Sequence, residues 1–188
     1  MKQGRLICCI GPSGVGKDAV MGELCKKLSY LSLVKRVITR PKTAGGEDHF
    51  SVSEVEFEAM RRRGEFALHW DAHGLRYGIP NALKQELSQG QDRLVNLSRS
   101  SLGSAMEVFP SLQVIVLSAN LQTLRDRLVA RGRETSIEIE ARLSRKTDPL
   151  PKALRYWEVD NSGLLTETVE EITNLLNEVE HNLGYHYE

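Results

Sequence analysis

The sequence predicts an α/β protein of one domain over 1–188, with a central, mostly parallel sheet flanked by helices. Three observations predict it. The run Leu6-Ile7-Cys8-Cys9-Ile10 suits a buried strand and leads directly into a glycine-rich loop and then a helical pattern. Two further apolar runs of strand length, 93–97 and 113–117, are separated by helix-like segments, as parallel strands with covering helices are. An amphipathic helix closes the chain, with Leu165, Val169, Ile172, Leu176 and Val179 recurring at spacings of 4, 3, 4 and 3.

The elements follow in order. Val20, Leu24 and Leu28 fall at i, i+4 and i+8 of a first helix over 17–28. Residues 34–39 read as a short strand ending before Pro41, and 42–49 as a polar loop. Ser53 followed by Glu56 signals a helix start, and Gly64 its end. Residues 66–73 read as a strand, followed by Gly74-Leu75-Arg76-Tyr77-Gly78. Asn81 opens a helix to about 88, closed by Gly90. Leu121, Leu124 and Leu128 share a helical face, 130–140 is charged and weakly apolar as a lid is, and 156–160 reads as the last strand. Pro149 and Pro151 punctuate the exit from the lid.

The glycine loop carries the first chemistry. Gly11-Pro12-Ser13-Gly14-Val15-Gly16-Lys17-Asp18 matches the phosphate-binding pattern G-x-x-x-x-G-K-[ST] except at its last position. Glycines let the backbone N–H groups face a phosphate with no Cβ in the way, and a helix starting at the lysine adds the positive end of its dipole. Lys17 supplies a point charge for the β/γ-phosphates. The hydroxyl that normally ligates Mg²⁺ is replaced by Asp18, a carboxylate that can take that role and whose charge beside the phosphates a bound cation offsets. The loop therefore predicts a nucleoside triphosphate with Mg²⁺, bound by 11–18, with Asp18 as the metal residue.

Composition excludes some classes. Lys plus Arg and Asp plus Glu number 25 each, so net charge is zero and nothing global favours nucleic acid or a membrane surface. No stretch is long and apolar enough for a membrane span. Cys8, Cys9 and Cys25 have neither metal-ligand nor disulfide spacing, which predicts a cytoplasmic protein. His49, His69 and His73 form no metal-ligand pattern: His69 and His73 at i, i+4 would share a helical face, but that region reads as a strand.

Arginine is clustered. Arg125, Arg127, Arg131, Arg133, Arg142 and Arg145 crowd one polar stretch. Phosphoryl transfer needs such groups, because charge spreads over the equatorial oxygens in the transition state. A lid over about 130–145 that brings them in also excludes water as a competing acceptor. The alternative for this stretch is a solvated helix laced with i, i+4 ion pairs. Arg61-Arg62-Arg63 reads as a solvated helix end. The apolar run at 93–97 is followed by no Asp, so the usual second metal carboxylate is missing from Asn96 and Ser98.

Together, Gly11 to Lys17, Ile38-Thr39-Arg40, Gly74-Leu75-Arg76-Tyr77-Gly78, Arg131-Gly132-Arg133 and Asp160-Asn161 resemble the guanylate-kinase-like P-loop kinases, in family order over nearly the whole chain. Asp18, Ala44-Gly45 with Glu47 and His49, Val95-Asn96 with Ser98-Arg99, and Glu134 make the likeness closer to the ribose 1,5-bisphosphate phosphokinases of bacterial phosphonate metabolism. Guanylate kinases carry a second Arg where this chain has Thr43, a guanine-reading Glu where it has Leu68, and acidic residues where it has Asn96 and Ser98. A site built to hydrogen-bond a base loses discrimination with those groups.

The resemblance implies a small acceptor-binding insertion over about 35–80 and a phosphorylated sugar as acceptor. It implies Lys17, Arg131 and Arg142 as catalytic, Arg133 and Asn161 beside the loop as nucleotide-binding, and Arg40, His49, Tyr77, Asn96, Ser98 and Arg99 as substrate-binding. The implied reaction moves the γ-phosphoryl group of ATP to the 1-phosphate of ribose 1,5-bisphosphate, giving 5-phosphoribosyl 1-diphosphate (PRPP). Two alternatives stand beside it: a nucleoside monophosphate kinase with altered base reading, and a non-catalytic guanylate-kinase-like binding module, whose P-loops are usually degraded.

Overall fold

In the computed structural model, which describes residues 3–42, 47–144 and 148–178, every residue of strand β1 (Leu6–Ile10) is buried. The chain then runs through α1 (Lys17–Lys27), β2 (Leu31–Leu33), β3 (Val37–Ile38), β4 (Phe50–Ser51), α2 (Glu54–Arg62), β5 (Phe66–Ala72) and β6 (Leu75–Pro80). It continues with α3 (Ala82–Ser88), β7 (Asp92–Asn96), α4 (Leu102–Val108), β8 (Leu112–Ser118), α5 (Leu121–Arg131), α6 (Ser136–Leu143), β9 (Tyr156–Asp160) and α7 (Leu165–Glu178). A five-stranded sheet has the order β2-β7-β1-β8-β9, and a four-stranded sheet the order β4-β3-β6-β5. The chain forms two compact units, one of 1–8 with 29–113, the other of 9–28 with 114–188.

In the second unit, β8 and β9 run parallel with Ser118 opposite Asp160, so the two strands end level. The helices have local causes. Asn120 caps α5 by accepting the Thr123 N–H at 2.8 Å, and Thr135 with Glu138 forms a full capping box at α6. Val169, Ile172 and Leu176 are the buried stripe of α7, as their spacing predicts. In α5 only Leu124 and Leu128 are buried, while Leu121 is exposed in the first turn. Val179 and Arg145 lie outside the described residues.

In the first unit, β2 pairs parallel with β7, and the small sheet is mixed, with β6 antiparallel to both β3 and β5. Two expectations change here. The strand expected over 34–39 shrinks to the two residues of β3, while β2 lies ahead of that range, at Leu31–Leu33, in a different sheet. The glycine-flanked segment at 74–78 is largely strand β6, joined to β5 by a two-residue turn. His73 and Gly74 both have positive φ (54° and 72°), the geometry of a tight hairpin matched to strand twist. Ser53 caps α2 as expected, accepting the Glu56 N–H at 3.1 Å. Arg61 and Arg62 pair with Glu58, and Arg63 with Glu65, which makes them the solvated helix end the sequence suggests. No described helix is long and apolar enough to cross a membrane.

Candidate active site

The loop between β1 and α1 has the geometry its glycines predict. Gly14 and Gly16 hold φ of 84° and 95°, open to glycine and strained for other residues, and Gly16 is the N-cap of α1. Space is as restrictive as torsion: a Cβ on Gly14 would stand 3.0 Å from Leu128 Cγ. Among the described residues the amides of Ser13, Gly14 and Gly16 meet no acceptor, which leaves three donors available beside a helix N-terminus. Lys17 Nζ spans the loop and donates to the carbonyls of Gly11 (2.8 Å) and Pro12 (3.1 Å). Asp18 stands exposed in the first turn of α1.

The polar segment after α5 meets this loop. Arg142, in the last turn of α6, donates through Nη1 to the Ser13 hydroxyl at 2.7 Å and pairs through Nη2 with Glu134 at 3.2 Å. The other Glu134 carboxylate oxygen is buried with no partner among the described residues. Arg131 and Arg133 flank Gly132, which ends α5 in the left-handed conformation at φ 64°. Both are exposed and make no side-chain hydrogen bond or ion pair among the described residues. Arg125 instead pairs with Glu140, tying α5 to α6. Asn161 is 2% exposed, and its amide is spent inside the protein, on the Val15 carbonyl at 2.7 Å and the Thr168 hydroxyl at 2.8 Å.

The first unit holds a second polar cluster, organised by a residue that sequence reasoning passed over. Arg36 is 5% exposed. Its Nε donates to Glu47 at 3.0 Å, Nη2 pairs with the same carboxylate, and Nη1 donates to the Asn96 carbonyl at 2.8 Å at the end of β7. Its guanidinium carbon lies 5.0 Å from the centre of the Tyr77 ring, which stacks on Trp70 at 5.3 Å. Burial pushes the Tyr77 hydroxyl up, against the lowering pull of Arg36 and Arg40. No local pattern marks Arg36; the basic pair Lys35-Arg36 before the apolar Val37-Ile38 is the weak signal available.

Arg40 follows β3 and lies 3.9 Å from Glu47, with its Nε buried and without a partner among the described residues. That orphan N–H in a polar cluster fits an anionic ligand. The carbonyl of Arg40 accepts from Ser51 at 2.7 Å and faces His49 Nε2 at 3.0 Å. His49 is 3% exposed; its Nδ1 lies 2.9 Å from the Glu47 carbonyl and 3.4 Å from Arg40 Nη2, and in the neutral ring one nitrogen donates while the other accepts. Ser98 bonds the Ser100 and Ser101 hydroxyls at 2.9 and 3.1 Å, while the Asn96 amide makes no side-chain bond among the described residues. Arg99 begins a 3-10 turn beside them, half-buried. Leu68 is buried in β5 opposite Ile79. Thr43, Ala44 and Gly45 lie outside the described residues.

A strand, an amide-lined loop with its lysine, and an arginine helix bonded to that loop make this a P-loop kinase fold. The fold is similar to that of guanylate kinase from Anaplasma phagocytophilum, with a TM-score of 0.71 over 96% of this chain and 88% of that one, at 21% identity. No family model matches the chain. Full-length relatives do. It is 48% identical over 170 residues to ribose 1,5-bisphosphate phosphokinase PhnN of Ruegeria sp. (strain TM1040), covering 90% of each chain. It is 42% identical over 178 residues to the protein of the same name from Rhizobium etli (strain CIAT 652), covering 93% of this chain and 90% of that one. The chain belongs to the ribose 1,5-bisphosphate phosphokinase family, and is a phosphotransferase of the kinase class.

Proposed function

We propose that this chain transfers the γ-phosphoryl group of ATP to the 1-phosphate of ribose 1,5-bisphosphate, releasing ADP and PRPP. The observation that carries the choice of acceptor is the pairing of Arg40, with its orphan Nε, and Tyr77 on one side with a buried Leu68 on the other. The cluster keeps groups for a phosphate and offers no carboxylate at the position where a guanine edge would be read. The names of the relatives support the same acceptor.

The chemistry asks little of a base. A phosphate monoester has a second pKa near ~6, so its oxygen is already an anionic nucleophile at neutral pH. That oxygen forms a bond to the γ-phosphorus, and the bond from the γ-phosphorus to the β–γ bridging oxygen breaks, leaving ADP. The protein supplies positive charge and alignment. Ser13, Gly14 and Gly16 amides cradle the polyphosphate, Lys17 leaves its loop carbonyls for the β/γ-phosphates, and Arg142 with Arg131 neutralises the transferred group. Arg133 is free to reach the donor nucleotide, while Asn96 and Arg99 read the sugar phosphate. His49 and Ser98 act through the loops they brace.

The residues present fit Mg²⁺. Among the described residues no group of three or more acidic, His or Cys side chains is placed to hold a metal. Mg²⁺ commonly takes one or two carboxylates plus phosphate oxygens and water. Asp18 in the first turn of α1 is the residue that would hold it, and the ion supplies charge neutralisation at the phosphates. One catalytic domain over 1–188 is part of the same proposal. Three free cysteines suit the reducing cytoplasm as the place of the reaction.

The test is ATP consumption by the purified protein with ribose 1,5-bisphosphate, GMP, AMP and dGMP in parallel, with PRPP identified as product. Turnover confined to a nucleoside monophosphate would refute the proposal. Failure to bind ATP would favour a binding module.

A further inference from the structure

The carbonyl of Val15, in the middle of the phosphate loop, is held by two donors from different elements. Asn161 Nδ2, just after β9, donates to it at 2.7 Å, and Arg127 Nη1, from α5, donates at 3.0 Å. A trans peptide points the C=O of one residue and the N–H of the next in opposite directions. Pinning the Val15 carbonyl to these donors therefore aims the Gly16 N–H the other way. That N–H meets no acceptor among the described residues. Gly16 is also backed by the same pair: a Cβ there would stand 2.8 Å from Asn161 Nδ2 and 3.7 Å from Arg127 Nη1.

Asn161 is itself oriented. Its Oδ1 accepts from the Thr168 hydroxyl of α7 at 2.8 Å, which leaves the amide nitrogen facing Val15. The Thr168 hydroxyl has one proton, and the alternative acceptor, the Leu164 carbonyl, is farther at 3.5 Å. Asn161 and Thr168 are 2% and 3% exposed, so neither is placed to contact a bound nucleotide from the surface.

We infer that Asn161 and Arg127 are positioning residues for nucleotide binding, with Thr168 fixing the Asn161 amide. They set the direction of the Gly16 amide toward the polyphosphate without touching it. This goes past the sequence expectation that Asn161 contacts the nucleotide, and it rests on reading the loop as the ATP site.

The experiment compares ADP affinity by titration calorimetry, nucleotide-free melting temperature, and KM for each substrate. The variants are Asn161→Ala, Arg127→Ala, the double variant, Thr168→Val and Thr168→Ser. In each single variant at Val15 the other donor still satisfies the carbonyl, so the fold is retained. Losing one of two aiming bonds should weaken ADP about tenfold, the order of one hydrogen bond. The KM of the sugar acceptor should stay within about twofold, the same calibration applied to an interaction outside its site. The double variant should lose more than the two singles combined, since the carbonyl then has no donor. Thr168→Val should weaken ADP by several-fold at most and Thr168→Ser should restore it, a rescue that depends on the hydroxyl and not on the volume.

Unchanged ADP affinity in both single variants overturns the inference. So does a loss that tracks melting temperature and raises both KM values alike, which marks general packing. A wild-type protein that binds no ADP overturns the nucleotide-site reading itself, and this inference with it, before any variant is compared.

Discussion

Arg142 and Ser13 are joined by a 2.7 Å hydrogen bond, so the arginine of α6 already sits against the phosphate loop. Glu134 steadies the same guanidinium from its other side at 3.2 Å. A planar fork held between a carboxylate and a loop hydroxyl is set to exchange a neutral acceptor for phosphate oxygens. Arg142→Ala is expected to lower kcat on the order of a hundredfold or more, within the range of arginines that act on phosphoryl transfer. Its effect on ADP affinity should be smaller, since the gain lies in the transition state. Arg142→Lys should restore only part of the rate. Steady-state kinetics beside ADP titration separates the two effects, and lost affinity with normal turnover would place Arg142 in ground-state binding.

Lys17 is expected to be indispensable for turnover and dispensable for folding. Its ammonium group bonds two carbonyls of its own loop, Gly11 and Pro12, at 2.8 and 3.1 Å. Those carbonyls flank a partly exposed loop, so water can replace the lysine. Lys17→Ala should retain the far-ultraviolet circular dichroism and melting transition of the parent while kinase activity falls to background. An unfolded variant, or one with near-full turnover, would contradict the loop's assignment.

Asp18 should show itself through the metal. It is exposed in the first turn of α1, and its carboxylate stands where the usual loop has a hydroxyl. Asp18→Asn removes the charge and keeps the shape, so the Mg²⁺ concentration for half-maximal rate should rise. Asp18→Ser, which restores the common pattern, should retain partial activity. An unchanged Mg²⁺ dependence in Asp18→Asn would remove this residue from the metal site.

The cysteines make a separate prediction about pH. Burial is the main cause that pushes the Cys9 thiol up from 9.0 to about 12, and Cys25 is raised less, at a half-buried position. An acid whose folded pKa is raised stabilises the fold fully below the unfolded value and loses that contribution as pH climbs toward the folded one. The window for Cys9 therefore lies between pH 9 and 12. At pH 8 a thiol reagent should modify Cys25 in the native protein well before Cys8 and Cys9, and all three after denaturation. Modification of Cys9 at the rate of Cys25 would show that β1 opens to solvent.

The parts of the site that were legible in sequence are those made by short-range geometry. The loop, its lysine and the following helix are contiguous, and α2, α3, α5 and α7 carry their caps or apolar stripes within one segment. The residues that were not legible are those whose role is set from a distance. Arg36 is invisible as a buried anchor because Glu47, Asn96 and Tyr77 reach it from three other segments. The resemblance implied ligand contacts for His49 and Asn161; the groups that hold their side chains, Arg40 for His49 and Val15 with Thr168 for Asn161, come from other segments. β3 and β4 are two residues each, too short for any alternation to register.

Acceptor choice is the prediction that bears most directly on function. Ribose 1,5-bisphosphate should be phosphorylated well and GMP hardly at all. Arg40 and Tyr77 remain for a phosphate, while the positions that would read a guanine edge hold Leu68, Asn96 and Ser98. Each unmet hydrogen-bonding group on a buried base costs roughly 1–3 kcal/mol, so two such losses already give a bias on the order of a hundredfold or more. The structure sharpens the engineered test. Leu68 is 5% exposed and paired with Ile79 across β5 and β6, so Leu68→Glu places a carboxylate in an apolar setting. The expected outcome is a lower melting temperature with no gain in GMP turnover, because an unpaired buried charge costs stability and the other base readers are still absent. Measured kcat/KM for GMP and the sugar bisphosphate decides the matter: comparable values in the wild-type protein would make it a nucleotide kinase, with Arg40 serving a nucleoside monophosphate.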